Sequence, residues 1–177
     1  RIAEQRPENP VSPGGVTVPN WLKDELRTSL GDERTDLWLG ARAVLAPLGL
    51  RIRASRTTRA AFLAAARAAR PDAEIQPGGV GSESVIVAKG GDPRTLPGYG
   101  EGHFVVQEEG AQVCAELIGV RAGEQILDAC AGRGNKALFF LERVGPTGSV
   151  RALDLHPRKL EQLEAEADRL GISRENL

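Results

Sequence analysis

The stretch "LDACAGRGNKA", residues 127 to 137, holds the residues best suited to ligand chemistry. Gly132 and Gly134 stand between a strand pattern and a helix pattern, where a residue without a Cβ lets the backbone adopt positive φ and approach a ligand. The free N–H groups of the following helix then point at that ligand. Asp154 ends the next strand pattern about twenty residues further on, the spacing at which an acid accepts hydrogen bonds from ribose hydroxyls.

Two ligand types and one purely structural role are compatible with this loop. A dinucleotide fingerprint, G-x-G-x-x-G/A, fits Gly132, Gly134 and Ala137. The S-adenosylmethionine pattern is an acid followed by alternating small residues, and it fits Asp128, Cys130, Gly132 and Gly134. A turn that only packs a helix against its sheet needs the same glycines. The loop residues alone leave all three open.

The elements around the loop predict an α/β fold. After residue 103, strand and helix patterns alternate, which predicts a parallel sheet with crossover helices. The predicted strands are "HFVVQ", "EQILDAC", which is of the buried type, and "GSVRALDL". "PRKLEQLEAEADRLG" predicts a helix that begins at Pro157 and ends at Gly171. "EEGAQVCAELIG" predicts a helix whose apolar side is formed by Ala111, Val113, Cys114, Leu117 and Ile118.

The upstream part predicts a smaller α+β module. Between residues 50 and 90 the patterns run strand, helix, strand, strand, with Thr57 or Thr58 as the helix cap. Two helices precede it, the first capped by Asn20 and ended by Gly31. The breaker-rich "GGDPRTLPGYGEG" indicates a domain boundary. We therefore expect an extended lead-in at residues 1–18, a helical lead-in plus the α+β module at 19–95, and a second domain at 96–177.

Composition restricts the classes of function. Net charge is −1, so there is no global basic signal for nucleic acid. No apolar run is long enough for a membrane span, no signal peptide is visible, and the two cysteines fit a reduced compartment, so we expect a cytoplasmic protein. His103 and His156 lack metal-ligand spacing, and no metal is expected. The chain begins with Arg1, contains no Met and ends where a strand is due, which indicates an excerpt of a longer protein.

A cluster of arginines stands out against this neutral background. "RIRASRTTR" places Arg51, Arg53, Arg56 and Arg59 within nine residues. Side chains alternate along a strand with a period of two, so Arg51 and Arg53 share one face. Such a run is either a solvated face or a patch that contacts phosphates. Arginine suits phosphate because its planar guanidinium group makes bidentate bonds to phosphate oxygens.

The sequence from residue 96 to 137 resembles the RNA (cytosine-5) methyltransferases of the Nol1/Nop2/Sun family. "LPGYGEGHFVVQEEGAQVCAELIGVRAGEQILDACAGRGNKA" is similar to the family's proline-glycine turn, "VQ", apolar helix, "GE-VLD" and "CAAPGGKT". The resemblance extends through "VRALDLHPRKLEQLEAEADRLGI". Upstream, "LRIRASRTTRAAFLAAA" is similar to the family's RNA-binding module, and "VPNWL" to the lead-in of its bacterial ribosomal RNA branch.

The resemblance implies S-adenosyl-L-methionine as the cofactor, a Rossmann-like class I methyltransferase domain of which only the first half is present, and a set of site residues. Four loop positions depart from the family's pattern: Gly132 replaces alanine, Arg133 proline, Asn135 glycine and Ala137 threonine. Asn tolerates positive φ better than other non-glycine residues. The implied cofactor-binding residues are Cys130, Ala131, Gly132, Arg133, Gly134, Asn135, Lys136 and Asp154. The residues expected to bind RNA are Arg51, Arg53, Arg56 and Arg59.

The implied activity is methylation of C5 of a cytidine in ribosomal RNA. The family uses a cysteine thiolate that adds to C6 and a second cysteine that assists product release, and both follow later strands of the sheet. Cys114 and Cys130 are instead expected to be small apolar filler, so no catalytic residue is assigned and this chain alone is expected to be inactive. The alternatives are a non-catalytic RNA-binding module with a degenerate methyltransferase half, and a nicotinamide-binding oxidoreductase.

Overall fold

A computed structural model gives the structure of the chain at residues 18–41, 46–88 and 91–177. The chain divides into two compact units between residues 46 and 47. Predictions for residues 1–17 of the lead-in, and for residues 42–45 in the second predicted helix, lie outside the described residues. No helix in the described ranges is long and apolar enough to cross a membrane.

The first unit contains two helices that pack against each other, α1 (Asn20–Leu30) and α2 (Asp32–Ala41). Gly31 ends α1 with φ of 78°, as the sequence predicts. The prediction that Asn20 caps α1 is wrong, because Pro19 holds the cap position and Asn20 is already helical. Proline is suited to the start of a helix since it has no N–H to leave unsatisfied.

The second unit begins with the predicted strand, helix, strand, strand module. It comprises β1 (Leu48–Ile52), α3 (Arg59–Ala69), β2 (Ile75–Pro77) and β3 (Ser84–Val87). Thr58 caps α3, since its hydroxyl accepts a hydrogen bond from the N–H of Ala61 at 3.2 Å. This confirms one of the two cap residues that the sequence offered.

Strand β4 (Phe104–Val106) joins this module and completes an antiparallel sheet in the order β2-β3-β1-β4. The alternating pattern after residue 103 predicts this strand as part of the parallel sheet of the second domain, and that prediction is wrong. Without β4, strand β1 would expose an edge of unpaired N–H and C=O groups. Pairing of Leu50 with Val106 and of Ile52 with Phe104 covers that edge. The predicted domain boundary at residue 96 stays a prediction, and the sheet runs across it.

The remaining elements are α4 (Glu109–Leu117), β5 (Gln125–Asp128), α5 (Asn135–Val144), β6 (Ser149–Ala152) and α6 (Pro157–Leu170). Strands β5 and β6 pair in parallel, which confirms the predicted crossover through α5. Helix α6 begins at Pro157 and ends at Gly171 with φ of 62°, also as predicted. The buried character predicted for β5 is wrong, because its residues alternate between exposed and half-buried and Leu127 is 62% exposed.

The prediction of which face of α4 is buried is also wrong. Leu117 and Ile118 are 80% and 59% exposed, and Cys114 is exposed. The buried residues are Gln112 and Ala115. Gln112 tolerates burial because its side-chain amide donates to the carbonyl of Gln107 at 2.8 Å, so the polar group keeps a partner.

The four-stranded sheet separates two apolar cores. Phe104 lies on the side of α3, where its ring meets Phe62 edge to face at 5.2 Å. The next residue, Val105, points to the opposite side and packs with Ala115 and with the buried residues of α5 and α6. Because side chains alternate along extended backbone, Arg51 of β1 and Arg53 directly after it fall on a face covered by other elements.

Candidate cofactor site

The glycine loop connects the end of β5 to the start of α5. Gly132 and Gly134 both have positive φ, 58° and 85°, which confirms the backbone conformation expected from their type. Around Gly132 an added Cβ would meet no atom within 4 Å, whereas at Gly134 it would lie 2.4 Å from Cγ of Leu163. Gly132 is therefore open to a ligand, and Gly134 is required by packing of the loop against α6.

Asp154 lies at the loop, although it comes from the segment after β6. Its Oδ2 accepts a hydrogen bond from the N–H of Gly132 at 2.9 Å, and its Oδ1 accepts from the N–H of His156 at 2.9 Å. The His156 bond is the main cause that holds the pKa of Asp154 below its usual value, with the Gly132 bond and Lys159 adding to it against some desolvation. An ionised carboxylate has about four acceptor positions, so Asp154 keeps capacity for ribose hydroxyls.

Asp128, at the end of β5, has an acceptor without a partner. Its Oδ1 accepts from the N–H of Cys130 at 3.3 Å, while its buried Oδ2 has no hydrogen-bond partner among the described residues. A buried oxygen in this state is unfavourable unless a ligand or water donates to it. Asp128 is part of the methyl-donor pattern in the sequence but is not among the predicted cofactor-binding residues. The unsatisfied oxygen is a signal that only the structure provides.

The other predicted loop residues differ in their surroundings. Ala131 is buried, and its N–H donates to the carbonyl of Leu153 at 2.8 Å. Asn135 is the first residue of the right-handed helix α5, so the expected left-handed conformation is not needed there. Its side-chain amide donates to the carbonyl of Val106 at 2.8 Å, which ties the loop to strand β4. The remaining three residues, Cys130, Arg133 and Lys136, are exposed.

The cysteines and histidines of the described residues do not belong to a metal-binding group. Both Cys114 and Cys130 are exposed, so the prediction that they are buried filler is wrong. Among the residues that the structure describes, no group of His, Cys, Asp and Glu could hold a metal ion.

The arginine run does not form the exposed patch that the sequence suggested. Arg51 and Arg53 are 3% and 4% exposed. Arg53 donates to Glu142 at 3.0 and 2.6 Å and to the carbonyls of Gly102 and Leu170 at 2.8 and 2.7 Å. Through these bonds Arg53 joins the end of β1 to α5 and to the end of α6. Arg53 therefore has a structural role, because four of its five N–H donors are used within the chain.

Arg56 and Arg59 remain more accessible than the two strand arginines. Arg56 is exposed, and its Nη2 lies 3.3 Å from the carbonyl oxygen of Leu170. Arg59 is half-buried and donates through Nη1 to the carbonyl of Gly81 at 2.8 Å. Each of them uses only part of its five N–H donors in these bonds. Contact of these arginines with RNA stays a prediction.

A parallel strand pair, a crossover helix, a glycine loop and an acid after the second strand form the first half of a Rossmann-like domain. The fold agrees with solved structures. NSun6 from Pyrococcus horikoshii matches with a TM-score of 0.69 at 12% identity, over 88% of this chain and 63% of that chain.

Sequence comparisons identify the family. Residues 115–177 match the family described as 16S rRNA methyltransferase RsmB/F. Ribosomal RNA small subunit methyltransferase B of Shewanella oneidensis is 31% identical over 97% of this chain and 40% of the relative. The protein of the same name from Pseudomonas putida is 29% identical over 89% of this chain and 35% of the relative. The chain belongs to the Nol1/Nop2/Sun family, and it spans less than half the length of these curated relatives.

Proposed function

We propose that the whole protein transfers a methyl group from S-adenosyl-L-methionine to C5 of a cytidine in ribosomal RNA. The bond between Asp154 and the N–H of Gly132 carries this proposal, because it sets a ribose-binding acid against an open glycine loop. The match to ribosomal RNA methyltransferases supports RNA as the substrate. The same match favours an enzyme over a non-catalytic RNA-binding module.

The chemistry of the loop fits this cofactor. S-adenosyl-L-methionine supplies a methyl group on a sulfonium, together with an ammonium, a carboxylate and a ribose. The unsatisfied Oδ2 of Asp128 suits a cationic donor such as that ammonium. Exposed Lys136 suits the carboxylate, and the open backbone at Gly132 allows close approach. Asp154 accepts from the ribose hydroxyls.

A cofactor titration tests the assignment of the loop. Calorimetry of the whole protein is expected to show binding of S-adenosyl-L-methionine and none of NADH. Asp154→Ala removes a charged acceptor and is expected to weaken binding roughly tenfold or more. Glu161→Ala is a matched control, because it removes an exposed carboxylate from α6, the helix that follows Asp154. Unchanged affinity in Asp154→Ala contradicts the assignment.

Product analysis tests the reaction. Ribosomal RNA incubated with the whole protein and cofactor labelled in the methyl group is expected to yield labelled 5-methylcytidine after digestion to nucleosides. Label on another position contradicts the C5 assignment, and cofactor binding without any transfer favours the non-catalytic alternative. Residues 1–177 alone are expected to transfer no methyl group, since neither Cys114 nor Cys130 is assigned as the nucleophile.

A further inference from the structure

A cavity of about 300 Å³ lies between β1 and the C-terminal half of α5. Helix α5 begins at Asn135, and the cavity residues of this helix start one turn later and reach its last turn. With a rise of about 1.5 Å per residue, that last turn lies on the order of 10 Å along the axis from the glycine loop. The cavity is thus separate from the cofactor site. The charged and aromatic residues that line it are Arg51, Arg53, Glu83, Phe139, Glu142 and Arg143.

Arg51 is a buried cation with an unused donor. It is 3% exposed, and its Nε donates to Oε1 of Gln107 at 3.0 Å. Its Nη2 is buried and has no partner among the described residues. Burial lowers the pKa of Arg51, but an arginine side chain remains protonated in proteins. A buried guanidinium nitrogen of this kind requires an acceptor oxygen.

Arg143 adds a second cation at the same cavity. The Cζ atoms of Arg51 and Arg143 each lie 4.7 Å from the centroid of the Phe139 ring. Arg143 is exposed and forms no ion pair with any described residue. The cavity therefore offers one buried and one accessible guanidinium.

Two carboxylates also line the cavity, and neither cancels these cations fully. Glu142 is already neutralised by Arg53, at 2.6 Å. Burial raises the pKa of Glu83, an effect that Arg51 and Arg143 oppose. With the Arg53–Glu142 pair closed, two guanidiniums face one carboxyl group, so the cavity has an excess of positive charge.

We propose that this cavity binds a phosphate group, with Arg51 as the buried donor and Arg143 as the accessible donor. Guanidinium groups suit phosphate because their planar fork makes charge-assisted bonds to two oxygens. The phosphate is either a diester of an RNA backbone or a monoester of a small molecule. The RNA source rests on the proposed function, whereas the phosphate site itself does not.

Binding of inorganic phosphate tests the site without reference to methyl transfer. Calorimetry of the whole protein at constant ionic strength, with chloride as the comparison anion, is expected to show saturable binding of phosphate. Arg143→Gln changes an exposed residue and is expected to weaken it about tenfold. Arg51→Lys keeps the buried charge but removes Nη2, and a similar loss is expected. Arg121→Gln, an exposed arginine elsewhere, is the matched control and is expected to have no effect.

The source of the phosphate follows from a second arm with single-stranded ribosomal RNA. If the phosphate is an RNA diester, Arg143→Gln is expected to reduce the slope of log affinity against log salt by about 0.7. An unchanged slope together with loss of inorganic phosphate binding assigns the site to a small-molecule phosphate. Absence of saturable phosphate binding, or binding that both arginine variants retain, overturns the proposal and leaves a water-filled cavity. Neither outcome bears on the assignment of the glycine loop to the cofactor.

Discussion

The glycine loop and the two arginines at the end of β1, Arg51 and Arg53, both suggest ligand contacts in the sequence, but their surroundings in the fold are opposite. An added Cβ at Gly132 would meet nothing within 4 Å, so the loop is open. Arg51 and Arg53 are almost fully buried, and Arg53 is held by Glu142 and two backbone carbonyls. A loop that needs special backbone angles is encoded locally by its glycines. The exposure of a charged strand depends on which distant elements cover it.

The largest expected effect comes from removing Arg53. Arg53→Met leaves Glu142 without its cation and two carbonyls without a donor, and breaking a buried pair in this way costs about 3 to 5 kcal/mol. Chemical denaturation measures the loss. Arg151→Met, an exposed arginine on β6, is the control and is expected to stay within about 0.5 kcal/mol.

A double variant sharpens this test. Replacing both partners, as Arg53→Met with Glu142→Leu, is expected to recover part of the lost stability, because no unpaired carboxylate remains. Equal stability of Arg53→Met and the unmodified protein would contradict the structural role assigned to the bonds of Arg53.

Replacing either loop glycine is expected to cost less unfolding free energy than replacing Arg53, and the two glycines are expected to differ. Gly134→Ala imposes strain at φ of 85° and a clash with Leu163, for a loss of about 2 to 4 kcal/mol in unfolding free energy. Gly132→Ala meets open space and carries only the strain at φ of 58°, about 1 to 2 kcal/mol. Denaturation of both variants gives the ranking, and a larger loss at Gly132 contradicts the assignment of Gly134 to packing.

Local signals account for what the sequence predicted correctly. Thr58, Pro157, Gly171 and the loop glycines act within a few residues of themselves, so their roles could be read without the fold. Pairing of β4 with β1 joins residues more than fifty positions apart, and no local pattern encodes it.

Burial was harder to predict for the same reason. On α4 the periodicity selected Leu117 and Ile118, but the fold buries Gln112 and Ala115. The loop was identified from its residue types, whereas the unsatisfied oxygen of Asp128 depends on its three-dimensional surroundings.

The accessible arginines should affect RNA binding more than folding. Arg56→Gln with Arg59→Gln removes two donors that are only partly used within the chain. If each contacts one phosphate of a single strand, the salt slope of binding falls by about 1.4. Filter binding across a salt series measures this, with Arg67→Gln with Arg70→Gln at the other end of α3 as the control pair. An unchanged slope removes Arg56 and Arg59 from the RNA-binding residues.

The smallest expected effect is the change of stability at acid pH that arises from Asp154 at the glycine loop. The folded protein holds the pKa of Asp154 below its usual value of 3.8, chiefly through the N–H of His156 and then through that of Gly132. A carboxyl group with a lowered folded pKa stabilises the fold above its unfolded pKa, and this contribution is lost as pH falls through the folded pKa. The stabilisation is therefore complete at neutral pH and disappears only below about pH 4.

Asp154→Asn isolates this contribution because it keeps the shape of the side chain but cannot ionise. The amide resonances of Gly132 and His156 are expected to titrate together below pH 3.8 in the unmodified protein and to be flat in the variant. Asp128→Asn is the matched control, since its carboxylate accepts from Cys130 and should leave the titration of Gly132 in place. Titration of the Gly132 amide that persists in Asp154→Asn would mean that another group controls the loop. The open loop and Asp154 could then not be treated as one unit.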